Sequence, residues 1–279
     1  MAIKFITAQE LAENTDWLVL DASYYLDGGA RKGEDHYQQR AIPNAKFWNI
    51  DACADPFSSL PHMRAPELIF AHFLAGAHWK RDQAICIYDQ QGLFSAPRLA
   101  WEFLKREVQA PLYLLQGGLP AWIAAQLPTP PGTNLITPQT PDLDLWWQEA
   151  FLADYTLAEV FDEILLDPAY AAQIVDARSP GRFAGVEPEP RAGLRPGHIP
   201  GALNIPYSSL IKDGKFRDDF DLKGLDLDRP IITTCGSGIT AAGLALALEA
   251  RGGEYVSVYD GSWVQWGDPR SMTPVLTGD

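Results

Sequence analysis

The sequence is short of positive charge, of sulfur and of long apolar runs. Against 36 aspartates and glutamates stand only 22 lysines and arginines, for a formal net charge of −14. An excess of that sign repels phosphate backbones and anionic headgroups, so neither nucleic acid nor a membrane surface is an expected partner. Cysteine occurs three times, as Cys53, Cys86 and Cys235, and no two stand in Cys-x-x-Cys spacing. That excludes a disulfide framework and a zinc-finger type of metal site, and it suits a reducing compartment. No apolar stretch reaches membrane-spanning length, and Met1–Glu10 lacks the apolar core of a signal peptide. The cytoplasm is the expected location.

What is present is ordinary globular material. With 279 residues, 47% hydrophobic and 21% charged, the chain has room for two domains. It also repeats itself. Leu18-Val19-Leu20-Asp21-Ala22 is echoed by Ile174-Val175-Asp176-Ala177-Arg178, and Ile42-Pro43-Asn44-Ala45 by Ile199-Pro200-Gly201-Ala202. Ile85-Cys86-Ile87-Tyr88 is echoed by Ile231-Ile232-Thr233-Thr234, and Leu115–Trp122 by Tyr259–Trp266. Four echoes in one order, about 145 to 155 residues apart, are the mark of an internal repeat. Each half alternates short apolar strands with helical stretches, such as Pro66–Ala75 and Ala96–Lys105, which predicts an α/β fold with mainly parallel sheets flanked by helices. Thr7-Ala8-Gln9-Glu10 and Thr156-Leu157-Ala158-Glu159 read as capping boxes that open the first helix of each half. The prolines at 128, 130, 131, 138 and 141 disfavour helix and strand. The expected division is a first domain over 1–126, a linker packing on the domains over 127–154, and a second domain over 155–279. Leu143–Trp147 is expected to pack onto a domain.

The chemistry concentrates at Cys235-Gly236-Ser237-Gly238-Ile239-Thr240. The apolar, β-branched run before it predicts a buried strand, and Ala241–Ala250 after it predicts a helix. A lone cysteine at a strand-to-helix turn has two readings. It is a buried packing residue, or it is a nucleophile whose thiolate is favoured by loop N–H groups and the positive end of the helix dipole. The two glycines favour the second reading, since packing alone needs no Gly-x-Gly cradle. Cys53 and Cys86 have no such setting and read as packing residues, and His198 reads as a loop-fixing residue. In the first half the slot of Cys235 is filled by Asp89, which cannot do sulfur chemistry. That half is expected to serve as scaffold or as one wall of a cleft.

Two α/β halves with one cysteine loop resemble the tandem-rhodanese sulfurtransferases. Gly197-His198-Ile199-Pro200-Gly201-Ala202 and Asp260-Gly261-Ser262-Trp263 resemble the two flanking signatures of that family. The cysteine loop resembles that of its 3-mercaptopyruvate sulfurtransferases. The resemblance implies two tandem rhodanese-like domains, the first catalytically silent, and sulfur transfer from 3-mercaptopyruvate through a persulfide on Cys235. It implies pyruvate as product, and a thiol such as reduced thioredoxin, or cyanide, as acceptor, with no metal and no cofactor. Gly236, Gly238, Ile239 and Thr240 then line the substrate. Arg182 and Arg191 are implied to grip its carboxylate and carbonyl, where a guanidinium fork matches planar oxygens. Considered without the family, each of these arginines reads first as a surface charge or an ion-pair partner. Asp51, His62 and Ser237 match positions of an Asp–His–Ser relay, and His62 also reads as an interface histidine making a structural hydrogen bond. Thiosulfate sulfurtransferases carry basic residues after the cysteine, where this chain has neutral Gly236 and Ser237, so thiosulfate is the alternative donor. A non-enzymatic persulfide carrier is the second alternative. A cysteine phosphatase needs arginine six positions after the cysteine, and that position is Ala241.

Overall fold

The computed structural model describes residues 3–26, 30–106, 108–141, 154–166 and 171–278. The chain divides into two compact units. The first comprises Met1–Phe57, Arg64–Leu152 and Asp213–Lys215, and the second Ser58–Met63, Ala153–Lys212 and Phe216–Asp279. Among the described residues no helix is long and apolar enough to cross a membrane.

The first unit runs β1 (Lys4–Ile6), α1 (Ala8–Ala12), β2 (Leu18–Asp21), α2 (Gly33–Gln39), β3 (Lys46–Phe47), α3 (Glu67–Gly76), β4 (Ile85–Tyr88), α4 (Ala96–Lys105), β5 (Leu112–Leu115), α5 (Gly118–Ala124) and β6 (Asn134–Leu135). Its sheet is ordered β1-β5-β4-β2-β3-β6, and its strand pairs are parallel. Central strands β2 and β4 are buried along their whole length, as helices covering both faces require.

The second unit runs β7 (Asp154–Tyr155), α6 (Leu157–Leu165), β8 (Gln173–Asp176), α7 (Pro180–Phe183), β9 (Leu203–Asn204), α8 (Tyr207–Leu210), β10 (Ile211–Lys212), β11 (Lys215–Phe216), β12 (Ile231–Thr234), α9 (Ile239–Ala250), β13 (Val256–Tyr259) and α10 (Ser262–Trp266). Its main sheet is ordered β7-β13-β12-β8-β9, again all parallel, with β10 and β11 as a separate two-stranded ribbon. Strand for strand, this is the order of the first sheet without β6.

Local chemistry explains the correspondence. Both predicted capping boxes form: Glu10 and Glu159 accept the backbone N–H of Thr7 and Thr156 at 2.7 Å, and each threonine Oγ1 accepts the glutamate N–H at 3.3 Å. The two Ile-Pro-x-Ala segments make the same turn, with Ala45 N–H on Ile42 O and Ala202 N–H on Ile199 O, each at 3.1 Å. The third position is left-handed in both, φ 61° at Asn44 and 77° at Gly201, and these are the residue types that tolerate it.

The proline-rich stretch after residue 126 differs from its expected form in one respect. Asn134 and Leu135 pair with Lys46 and Phe47, so the stretch supplies an edge strand. Prolines flank that strand but do not occupy it, as the need for ladder N–H groups demands. Its backbone is tied to the first unit through Ala41 N–H to Pro130 O, Gly132 N–H to Tyr37 O and Gln139 N–H to His72 O. Leu143–Trp147 lies outside the described residues.

Candidate active site

The site is built where β12 ends. This strand lies between β13 and β8, so the chain leaving it emerges at the C-terminal edge of a parallel sheet, where open α/β sheets place their ligands. Cys235 follows directly, reduced and 2% exposed. Gly238 then caps α9 with φ 84°, a left-handed turn that brings Ile239 and Thr240 into the first turn of the helix. Ser237 is 1% exposed, and Ile239 and Thr240 are buried.

A second segment holds this loop down. Cys235 N–H donates to Ser262 Oγ at 3.3 Å, and that hydroxyl donates to Tyr259 O at 2.9 Å. Trp263 N–H donates to Cys235 O at 3.0 Å, and Val264 N–H to Gly236 O at 2.9 Å. The loop backbone is thus pinned on both sides of the cysteine by Ser262, Trp263 and Val264. Ser262 is itself left-handed, with φ 47°. The Asp260–Trp263 signature points to this segment, but nothing in its spacing shows that Ser262 supports the cysteine.

Arg182 reaches the loop from α7. A Cβ built on Gly236 would lie 3.0 Å from Arg182 Nη2, so the guanidinium occupies the space where a side chain at 236 would stand. Ser179 caps α7 by accepting Arg182 N–H at 3.4 Å, and the Ser179 hydroxyl donates to Glu187 at 2.7 Å. From below, His198 Nδ1 meets Phe183 O at 2.9 Å, and its ring stacks on Phe183 with centroids 3.9 Å apart. His198 therefore fixes the turn that carries Arg182, as its sequence setting suggested.

Glu189 binds Arg182 and Arg178 together. Its Oε2 accepts Arg182 Nη2 at 2.6 Å and Nε at 3.1 Å, while Oε1 accepts Arg178 Nη1 at 2.7 Å. Arg178 also grips Asp176 through Nε and Nη2 and lies over the Trp263 ring at 4.1 Å. Burial works against the Arg178 charge, but Asp176 and Glu189 outweigh it and hold its pKa above the ordinary value. The pairing of Arg178 with Asp176 joins residues only two positions apart in the chain. Sequence reasoning missed Glu189, whose one signal is its place in Glu187-Pro188-Glu189-Pro190-Arg191, between two candidate arginines.

Arg191, two residues on, places Nη2 3.1 Å from His62 Nε2. These residues are 129 positions apart, yet both belong to the second unit, which includes Ser58–Met63. A guanidinium can only donate, so His62 Nε2 is the acceptor in this contact. His62 is buried and left-handed, with φ 60°, a conformation that a bulky residue keeps only where its surroundings impose it. Asp51 belongs to the first unit and is exposed. The other two cysteines are buried, and burial pushes both thiols up, Cys53 also through Glu102. Packing is the role this environment suits.

In the first unit the loop after β4 holds Asp89 in the cysteine's place. Its Oδ1 accepts Gln91 N–H at 2.9 Å, and Oδ2 accepts the N–H groups of Phe94, Ser95 and Ala96 at 2.7, 2.9 and 2.9 Å. The carboxylate fills its own anion nest.

Parallel sheets of this order, with one cysteine at a strand-to-helix loop, define the class of rhodanese-fold sulfurtransferases. Residues 157–268 match the rhodanese-like domain family. The chain is 38% identical over 257 residues to the human 3-mercaptopyruvate sulfurtransferase, covering 89% of this chain and 84% of that protein. It is 36% identical over 281 residues to the 3-mercaptopyruvate sulfurtransferase of Escherichia coli K12, covering 97% of each. It also matches the crystal structure of SseA from Escherichia coli, which is described as showing the rhodanese fold and catalytic mechanism of 3-mercaptopyruvate sulfotransferases. The TM-score is 0.75 and the identity 32%, over 94% of this chain and 99% of that one. The chain belongs to the 3-mercaptopyruvate sulfurtransferase family, and it is a sulfur-transferring enzyme.

Proposed function

We propose that this enzyme moves the thiol sulfur of 3-mercaptopyruvate to a thiol or to cyanide through a persulfide on Cys235. The observation that carries the reading is the Arg182 guanidinium standing over Gly236, beside the cysteine, in a loop with no basic residue of its own. In the first step the Cys235 thiolate attacks the substrate sulfur. The C–S bond breaks, its electron pair passes to the carbon as the enolate of pyruvate, and that carbon takes up a proton. Cys235 is left as Cys–S–SH. Arg182 and Arg191 hold the carboxylate and stabilise the developing enolate oxygen, which is where fixed donors lower the barrier most. Gly236, Gly238, Ile239 and Thr240 line the transferred sulfur, with the loop N–H groups and the α9 dipole favouring its anionic forms. In the second step an acceptor thiolate takes the outer sulfur and restores the Cys235 thiolate, a ping-pong cycle that needs no metal or organic cofactor.

The remaining assignments belong to the same proposal. Asp51, His62 and Ser237 are assigned to the Asp–His–Ser relay that the family resemblance implies. The domain division at 1–126, 127–154 and 155–279, with a silent first domain, rests on the repeat and on Asp89. Reduced thioredoxin is a fitting acceptor, and the cytoplasm a fitting compartment, for a chain whose three cysteines are all free.

The test is a ratio. Pyruvate release from 3-mercaptopyruvate should far exceed thiocyanate release from thiosulfate plus cyanide at equal enzyme. Faster turnover of thiosulfate would overturn the donor assignment. Failure to turn over without a dedicated protein partner would identify a persulfide carrier instead.

A further inference from the structure

Glu189 has no part in the chemistry just described, yet its position fixes the charge of the site. Its carboxylate is 4% exposed, and a buried carboxylate must be paired. Arg178 alone does not need it. Arg178 already holds Asp176 by Nε at 2.9 Å and by Nη2 at 2.6 Å, and it donates to Gly197 O at 2.8 Å. The charge of Glu189 therefore falls chiefly on Arg182. The four ion-paired groups Asp176, Arg178, Glu189 and Arg182 sum to zero. Glu187 is exposed and engaged with Ser179, so water screens its charge. Arg191 faces an accepting nitrogen of His62, and among the described residues no carboxylate is paired with it. Of the five N–H donors of Arg182, one on Nε and one on Nη2 go to Glu189, which leaves the Nη1 edge and one Nη2 donor.

We propose that Glu189 is a specificity-determining residue, which cancels the charge of Arg182 while taking only two of its five donors and so sets the site to receive a singly charged carboxylate rather than a dianion. The inference rests on the donor reading given above. A monoanionic keto acid meets a planar set of donors and one net positive charge from Arg191. A dianion such as thiosulfate brings a second negative charge into range of the Glu189 carboxylate. At the effective dielectric of a protein surface, one like charge a few ångströms away outweighs a factor of ten in affinity.

The test uses the full-length enzyme and the near-isosteric Glu189→Gln. Steady-state kcat/KM is measured for 3-mercaptopyruvate and for thiosulfate, each with cyanide as acceptor at one ionic strength. The expected result is a shift of the selectivity ratio toward thiosulfate by about tenfold, with an absolute gain for thiosulfate expressed in KM. Equal losses with both donors would overturn the inference and leave Glu189 a support of the fold. A second measurement needs neither turnover nor the variant: protection of Cys235 from the neutral alkylator iodoacetamide by methanesulfonate and by sulfate, which share a tetrahedral shape but differ by one charge. The wild-type enzyme should be protected by methanesulfonate at least as well as by sulfate. Clearly stronger protection by sulfate would overturn the inference. A wild-type enzyme that forms no persulfide from 3-mercaptopyruvate but shows the expected anion order would refute the donor reading and uphold the charge selection.

Discussion

The loops at residues 89–95 and 235–238 occupy the same place in two sheets of the same order and do opposite things. In the second unit the strand ends in a small, reduced thiol, and the next ring of charge is supplied from outside the loop by Arg182. In the first unit the strand ends in a carboxylate that takes four backbone N–H groups for itself. In the first unit the strand-to-helix turn is an anion nest that its own side chain closes. A second contrast lies one strand away. The aspartates ending β2 and β8 are equivalent, but Asp176 is followed two residues later by Arg178 and Asp21 by Ser23. Asp176 pairs with a guanidinium. Asp21 is fully buried, and its hydrogen-bond partners among the described residues include the neutral side chains of Ser23, Gln90 and Tyr88. Burial raises its pKa to about 6, against the opposing effect of those hydrogen bonds.

The largest expected effect breaks the symmetry at the nucleophile. Incubation with 3-mercaptopyruvate and no acceptor should add one sulfur, about 32 Da by atomic mass, to the peptide holding Cys235, because only an activated thiolate attacks sulfur. Cys235→Ser should abolish both the adduct and pyruvate release, as an alcohol cannot form a persulfide. The reverse change, Asp89→Cys in a Cys235→Ser background, should not restore the adduct, because the first loop is longer and has no counterpart of Arg182 in its sequence. Sulfur found at position 89, or on Cys53 or Cys86, would show that the nest alone is sufficient.

Next in size is the contribution of Arg191. Arg191→Ala should lower kcat/KM for 3-mercaptopyruvate by about 2–4 kcal/mol and affect thiosulfate less. Equal losses would mean that the arginine holds His62 rather than the substrate. The closed loop should reveal itself in stability instead of rate. Asp89→Ala leaves four N–H groups without their carboxylate and should destabilise the protein by about 3 kcal/mol in denaturant unfolding, while turnover per folded molecule stays near wild type. A large fall in kcat would show that the first loop is not silent.

The smallest effect separates the two strand-end aspartates by pH. The folded pKa of Asp21 lies above its unfolded value, so the native state holds the proton more tightly. Stability attributable to Asp21 is then fully present at pH below about 4 and is lost as pH rises to about 6, by roughly 2–3 kcal/mol. Asp21→Asn should remove that slope and stabilise the protein at pH 7 relative to wild type. The reading would fail if the wild type and Asp21→Asn had parallel stability curves from pH 4 to 7.

Much of this was legible in the sequence because it is local. The capping boxes at Thr7 and Thr156 and the left-handed turns at Asn44 and Gly201 each span four residues, and the cysteine loop is flanked by a strand and a helix whose patterns are unmistakable. Interactions of that range are set by neighbouring backbone and need no tertiary context. The fold class followed from the alternation of strands and helices, and the repeat is matched by a shared order of five strands. The edge strand at Asn134–Leu135 was not legible, because pairing at a sheet edge is decided by a partner strand and not by propensity.

What the sequence determined by itself is a lone cysteine at a strand-to-helix turn, the glycines around it and the absence of any basic residue among them. Tertiary structure decided which charges surround it. Ser262 supports Cys235 from 27 residues away, and His62 meets Arg191 across 129. Glu189 joins one arginine of the β8 strand end to one of α7. Such contacts depend on where loops return after long excursions, and a side chain's charge acts through distance in space. Residue type and spacing single out the candidate thiol, while the folded path of the chain specifies the electrostatic field around it.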